Sequence, residues 1–88
     1  MSNQLGSDPE QLDRLARLLT SAAGEVGRVR STVTGRLDAL FWQGPDADNF
    51  KASWNSVHNE MLRQAGSKLG VAAEDLRRQA ITQRQVSR

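Results

Sequence analysis

The chain has 88 residues, one domain at most, and its 38% apolar and 25% charged side chains are ordinary for a soluble protein. It has no cysteine, which excludes disulfides and thiolate metal sites. The formal charge is only +2 although the calculated pI is 9.9. The cause is local, because Arg77, Arg78, Arg84 and Arg88 fall in the final stretch, which holds no acid.

Residues 1–20 include Asp8, Pro9, Glu10, Asp13, Arg14 and Arg17, so they contain no apolar segment of the kind a cleaved export signal needs. No run approaches the roughly 20 apolar residues that cross a bilayer. The expectation is a protein that stays in the cytoplasm or leaves by a route without a cleaved peptide. Residues 1–7 are expected to be disordered.

The first helix is predicted over about 9–41. Asp8 can cap it, Pro9 suits the first helical position, and Gln11 follows three residues after the cap. Apolar residues then recur at Leu12, Leu15, Leu19, Ala22, Val26, Val29, Val33, Leu37 and Leu40, in steps averaging 3.5. That period is a seam for packing against another helix.

The run stops at Phe41-Trp42-Gln43-Gly44-Pro45, and a turn is predicted over 42–45. Gly44 can take backbone angles closed to other residues, and Pro45 cannot continue a helix but starts one well. Asp46 and Asp48 follow where negative charge suits a helix N-terminus.

A second helix is predicted over about 46–81, with apolar residues at Ala47, Phe50, Trp54, Val57, Met61, Ala65, Leu69, Ala72 and Leu76. Their mean step is close to the 3.6 of a straight helix. Phe50, Trp54, Val57 and Met61 share one face and are expected in the core. Residues 82–88 carry one apolar side chain and are expected to form a flexible basic tail.

The fold class is therefore all-α: an antiparallel hairpin of two helices, each about 45 Å long. One pair of helices has no third wall around its seam, so a partner hairpin completing a four-helix bundle is expected. Gly24, Gly27, Gly35, Gly66 and Gly70 lie inside the helices, each costing about 1 kcal/mol relative to alanine. The first three fall away from the seam. They mark either a face that a partner backbone approaches closely or simply a weak helix.

Trp42-Gln43-Gly44, near mid-chain between two amphipathic helices, with Ala47 and Phe50 following, resembles the turn of the Trp-X-Gly (WXG) family. These are small type VII secretion proteins, relatives of the early secreted antigenic target. The resemblance covers about residues 8–80 and rests on length, absent cysteine, absent signal peptide and the central Trp-x-Gly. The tripeptide alone is weak; the architecture around it adds the weight. The resemblance implies hairpins that dimerise into four-helix bundles, with themselves, with a second small WXG-type protein, or with a secreted toxin from a neighbouring gene. It implies folded export by a machine driven by a membrane ATPase in actinobacteria and related Gram-positive bacteria. Members serve as effectors or as escorts for a secreted partner, and the chain is expected to be secreted, cytoplasmic only before export.

There is one departure. Family export signals carry Tyr-x-x-x-Asp/Glu after the second helix, and this chain has no tyrosine. Val71 to Asp75 has the spacing without the ring. The chain is therefore expected to be the signal-less half of a heterodimer, with a homodimer bearing a degenerate signal as the other possibility.

Trp42 has two readings: part of an export-recognition surface, or a ring covering the open end of the helix pair. Gly44 is read as conformational. His58 is the single histidine and is read as a surface or interface side chain, because metal binding needs more ligands than this spacing offers. No nucleophile, base and orienting group assemble, and no phosphate loop exists, so no enzyme activity, cofactor or small-molecule substrate is expected. The basic tail could bind nucleic acid or anionic lipid, tag the chain for secretion, or solvate a helix end where cations suit the dipole; the last reading leads. The rival function is a cytoplasmic scaffolding or DNA-associated helical protein that uses this tail.

Overall fold

A computed structural model describes residues 8–86 of the chain. The expected disordered segment 1–7 and the last two residues of the expected tail lie outside the described residues. All regular structure among the described residues is helical. Helix α1 spans Pro9–Ala39; α2 spans Pro45–Ser53; a π-helical turn covers Trp54–His58; α3 spans Asn59–Val86. The last three run on without a break, so the molecule is a hairpin of two rods measuring 65 × 17 × 15 Å overall.

The ends follow local chemistry. The Asp8 carboxylate accepts from the Glu10 backbone N–H at 3.0 Å, with Pro9 in the first turn. Leu40 closes α1 in extended backbone. Residues 40–44 connect the rods, and Gly44 takes φ +117°, a conformation that strains any L side chain. Pro45 then opens α2, and Asp46 and Asp48 sit in its positively polarised first turn.

The two rods run antiparallel, because residues joined across the seam rise in one helix as they fall in the other. Arg84 reaches Asp13 at 2.7 Å, Arg77 reaches Thr20 at 2.8 Å, Arg30 reaches Asn59 at 2.8 Å and Trp54 reaches Thr34 at 2.9 Å. The seam on α1 is Leu12, Ala16, Leu19, Ala23, Val26, Arg30, Val33 and Leu37, with alternating steps of 4 and 3. That is the heptad rhythm of two helices coiling around each other.

On the second rod the covered positions are Ala47, Lys51 and Trp54, then Asn59, Leu62, Gly66, Leu69, Ala73, Leu76 and Ala80. The same alternation holds except for one step of five, from Trp54 to Asn59. A π turn lies there, with the Asn59 N–H donating to the Trp54 carbonyl five residues back. Such a turn takes up one more residue than an α turn. It resets the phase of everything that follows.

This corrects part of the expected seam. Leu12, Leu19, Val26, Val33, Leu37, Trp54, Leu69 and Leu76 do line the hairpin, half-buried or buried. Leu15, Val29, Leu40, Phe50, Val57 and Met61 are exposed instead. A straight 3.6-residue period does not allow for the extra residue at the π turn, so Leu62 takes the inward place expected of Met61.

The core is thin. Ala16, Ala47, Ala73 and Ala80 are fully buried and Trp54 is 8% exposed, while no large side chain among the described residues is wholly buried. Alanines let the backbones approach, but two rods cannot enclose a leucine between them. The helix also continues to Val86, beyond the predicted end near 81. Buried Ala80 and the Arg84–Asp13 bond hold that last stretch against the start of α1.

Candidate partner-docking face

The hairpin presents two flanks of opposite character. At about 100° per residue, the position after a seam residue falls to one side of the helix and the position before it to the other. In an antiparallel pair, equivalent offsets on the two helices emerge on the same side. The residues that follow seam positions are Asp13, Thr20, Gly27 and Thr34 on α1, and Gly70 and Arg77 on α3. These make the polar flank, which Arg84–Asp13, Arg77–Thr20 and the Trp54 indole N–H on Thr34 stitch shut.

The residues that precede seam positions make the other flank. On α1 the apolar ones are Leu15, Ala22 and Val29, with Leu18 beside them; on the second rod they are Phe50, Met61, Ala65 and Ala72, with Val57 in the π turn, and Glu25, Arg36, His58 and Lys68 stand at the polar positions between them. Leu15, Leu18, Val29 and Met61 are 44–64% exposed. Val57 and Phe50 are about half exposed. From Leu15 to Val29 this apolar strip runs roughly 21 Å along α1 at 1.5 Å per residue. Single exposed leucines are ordinary, as Val71 and Ile81 off this strip also show; here several large apolar side chains are exposed together on one flank.

At the turn end the strip meets an aromatic pair. Trp42 rests on Phe50, with ring centroids 5.9 Å apart and planes tilted by 50°. The Trp42 carbonyl accepts a long bond from Lys51 Nζ at 3.5 Å. Trp42 is thus partly covered, while Phe41 beside it is 88% exposed.

No family model, curated protein or solved structure matches the chain. Its chemistry has to be read from its own surfaces.

The polar flank is grooved, with Arg30, Asp38 and Asn59 among the side chains that line the groove. An open trough of about 410 Å³ runs over Gly27, Ser31, Thr34 and Gly35. A side-chain carbon added at Gly24, Gly27, Gly35 or Gly70 would meet nothing within 4 Å, so no part of the chain itself needs these positions small. Gly66 is the exception: it sits in the seam, and an added carbon would lie 3.5 Å from a Val26 methyl.

The basic end is largely engaged. Arg77 pairs with Glu74 and Arg78 with Asp75, while Arg84 holds Asp13. Arg88 lies outside the described residues. His58 is exposed on the π turn, and no three His, Asp or Glu side chains gather into a metal cage among the described residues. On the outer surface, Arg63 and Gln64 hydrogen-bond Glu60 and pull its carboxyl down to about 2, while Glu60 in turn raises the Arg63 guanidinium. No helix among the described residues is long and apolar enough to cross a membrane.

Leu15, Ala22, Val29, Phe50, Val57, Met61, Ala65 and Ala72, expected from periodicity in the seam, lie on this flank instead. Sequence reasoning passed over Leu18 on the strip and Leu62, Ala73 and Ala80 in the seam. The signal was present for the last three: read onward from Leu62, they keep the same alternation of 4 and 3 that α1 shows.

Proposed function

We propose that this chain is a helix-pairing subunit: its apolar flank joins that of a second hairpin to form a four-helix bundle. The observation that carries this reading is the contrast between the flanks. One is closed by polar links within the hairpin, and the other leaves Leu15, Leu18, Val29, Phe50, Val57 and Met61 facing water. The thin core argues in the same direction, because a partner over the open flank supplies the cover that two rods lack.

The biological setting we propose comes from the Trp42-Gln43-Gly44 resemblance: a type VII secretion substrate, or an escort for one, exported without a cleaved signal through the system's ATPase. With no Tyr-x-x-x-Asp/Glu sequence, the chain takes the place of the signal-less partner. The rival reading, nucleic-acid association through the basic tail, has less support, since Arg77, Arg78 and Arg84 are already engaged by carboxylates within the chain.

Light scattering after size exclusion, with circular dichroism on the same peak, tests the pairing. The expected result is a helical species of twice the chain mass, formed alone or with a neighbouring gene's small product. A stable, cooperatively melting monomer at about 100 μM that ignores such products would overturn it. Salt-dependent retention on heparin would favour the rival. Export that persists from cells deleted for every candidate partner would remove the escort-dependent route.

A further inference from the structure

The second rod carries two apolar seams at once. Both pass through Ala47, Trp54, Leu69 and Leu76, and both take eight steps between the first and last of these. They differ in between. The seam in the structure uses Leu62, Gly66 and Ala73, with all its excess phase spent in the π turn at Trp54–His58. The other uses Met61, Ala65 and Ala72, spaced at the even 3.6-residue period of a straight α-helix, and needs no π turn. On a helical wheel the two orientations of α3 differ by about 60° at 100° per residue.

What holds α3 in its present orientation is small residues and polar bonds rather than interlocked large side chains. No large side chain is fully buried, and Gly66 offers no side chain to interlock with Val26. Four bonds favour the present phase: Trp54 Nε1 to Thr34 at 2.9 Å before the π turn, Arg30 Nε to Asn59 at 2.8 Å just after it, and Arg77 to Thr20 at 2.8 Å and Arg84 to Asp13 at 2.7 Å farther along α3, where Ala73 and Ala80 are also buried. Against them stands the cost of leaving Val57 and Met61 about half or more exposed. A partner covering the flank removes that cost; a solitary hairpin bears it. Two packings available to one sequence are the kind of bistable element on which switches are built.

We propose that the Trp54–His58 π turn is a register switch for the docking face. With the π turn present, Met61, Ala65 and Ala72 lie on the apolar flank and the face is assembled. When the turn relaxes to α-helix, α3 rotates and draws these side chains into the hairpin seam. The partner's role in the switch rests on the pairing reading above; the existence of two registers is a property of the single chain.

The absence of cysteine makes the register directly readable. A carbon added at Gly66 would lie 3.8 Å from Val26 Cβ, a separation typical of disulfides. Three double variants are compared under mild oxidation in dilute solution: Val26→Cys with Gly66→Cys, with Ala65→Cys, and with Gln64→Cys as the outward-facing control. Ala23→Cys replaces Val26→Cys if the latter lowers helicity. The expected result is rapid closure of the Gly66 pair and closure of the Ala65 pair at least tenfold faster than the control. Raising the concentration until the chain pairs, or adding its partner, then slows the Ala65 pair at least fivefold and spares the Gly66 pair. An Ala65 pair no faster than the control overturns the inference, even if the chain is a dimer and the pairing reading stands. An Ala65 rate indifferent to pairing overturns the switch. A chain that closes both pairs yet never pairs supports the two registers and removes the pairing reading.

Discussion

The polar and apolar flanks belong to the same two helices and are separated by only two positions in phase, yet they carry different duties. The polar flank is finished within the chain: Asp13, Thr20 and Thr34 each meet a donor from the opposite rod. The apolar flank is unfinished, with large side chains at Leu15, Leu18, Val29 and Met61 and no element among the described residues to cover them. One side fixes how the two rods align. The other has no cover among the described residues.

Trp54 stands where these duties meet, so its loss should have the largest effect. Its ring is the one large side chain in the buried core among the described residues, and its indole N–H is bonded to Thr34 on the polar flank. Trp54→Ala should cost about 3–5 kcal/mol, enough to unfold a hairpin this thin. Trp54→Phe keeps most of the area and should lose only about 1 kcal/mol for the missing bond. Chemical denaturation of both variants separates the contributions, and an unchanged midpoint for the alanine variant would show that the ring is not buried.

A charge placed on each flank breaks the comparison directly. Met61→Glu puts a carboxylate in the centre of the apolar strip and should weaken pairing about 100-fold, or roughly 3 kcal/mol. The isolated hairpin should keep its helicity, because Met61 is already 62% exposed. Ser31→Glu, on the opposite side of α1, should leave pairing within about twofold. Equal losses from the two would mean that the flanks are not functionally distinct. Sedimentation of the variants reads both.

The glycines sharpen the same contrast from the polar side. Gly24 and Gly35 face open space, where an added carbon meets nothing. Gly24→Ala with Gly35→Ala should raise stability by up to about 2 kcal/mol from helix propensity alone. Unchanged pairing would confirm that no partner backbone approaches that side. Weakened pairing with raised stability would place a second contact there.

Much of this architecture is legible in the sequence, and the part that is not has a local cause. The Asp8-Pro9 start, the Gly44-Pro45 break and the seam residues Leu12, Leu19, Val26, Val33 and Leu37 follow from capping chemistry and period. The phase of the second rod does not, because one extra residue is absorbed between Trp54 and Asn59 without any glycine or proline to announce it. Alanine hides the rest: Ala16, Ala73 and Ala80 are the closest-packed positions, yet in a periodicity count Leu15 and Ala72 serve as well. The tail misleads for a related reason. Residues 82–86 lack apolar side chains apart from Val86, and Arg84 helps to hold them helical through a polar link that no hydrophobic pattern records.

The smallest effect expected is electrostatic, and it reports on the region beside the π turn. Arg63 first, then Gln64, hold the Glu60 carboxyl at about 2, below its ordinary 4.5, and Arg30 adds a further pull across the seam. A carboxyl depressed on folding contributes stability that is complete above its unfolded value and is lost as the pH falls towards its folded one. The window here is therefore about pH 4.5 down to 2. Both side chains of the Glu60–Arg63 pair stay about half exposed, so solvent and salt screen it and the melting temperature should move little. The carbon-13 titration of the Glu60 carboxyl is the sensitive readout, with a midpoint well below 4.5 expected. Arg30→Gln should raise that midpoint slightly, and Arg63→Gln should raise it most. A midpoint at the ordinary value in the unaltered chain would mean that the link to Arg63 does not hold in solution.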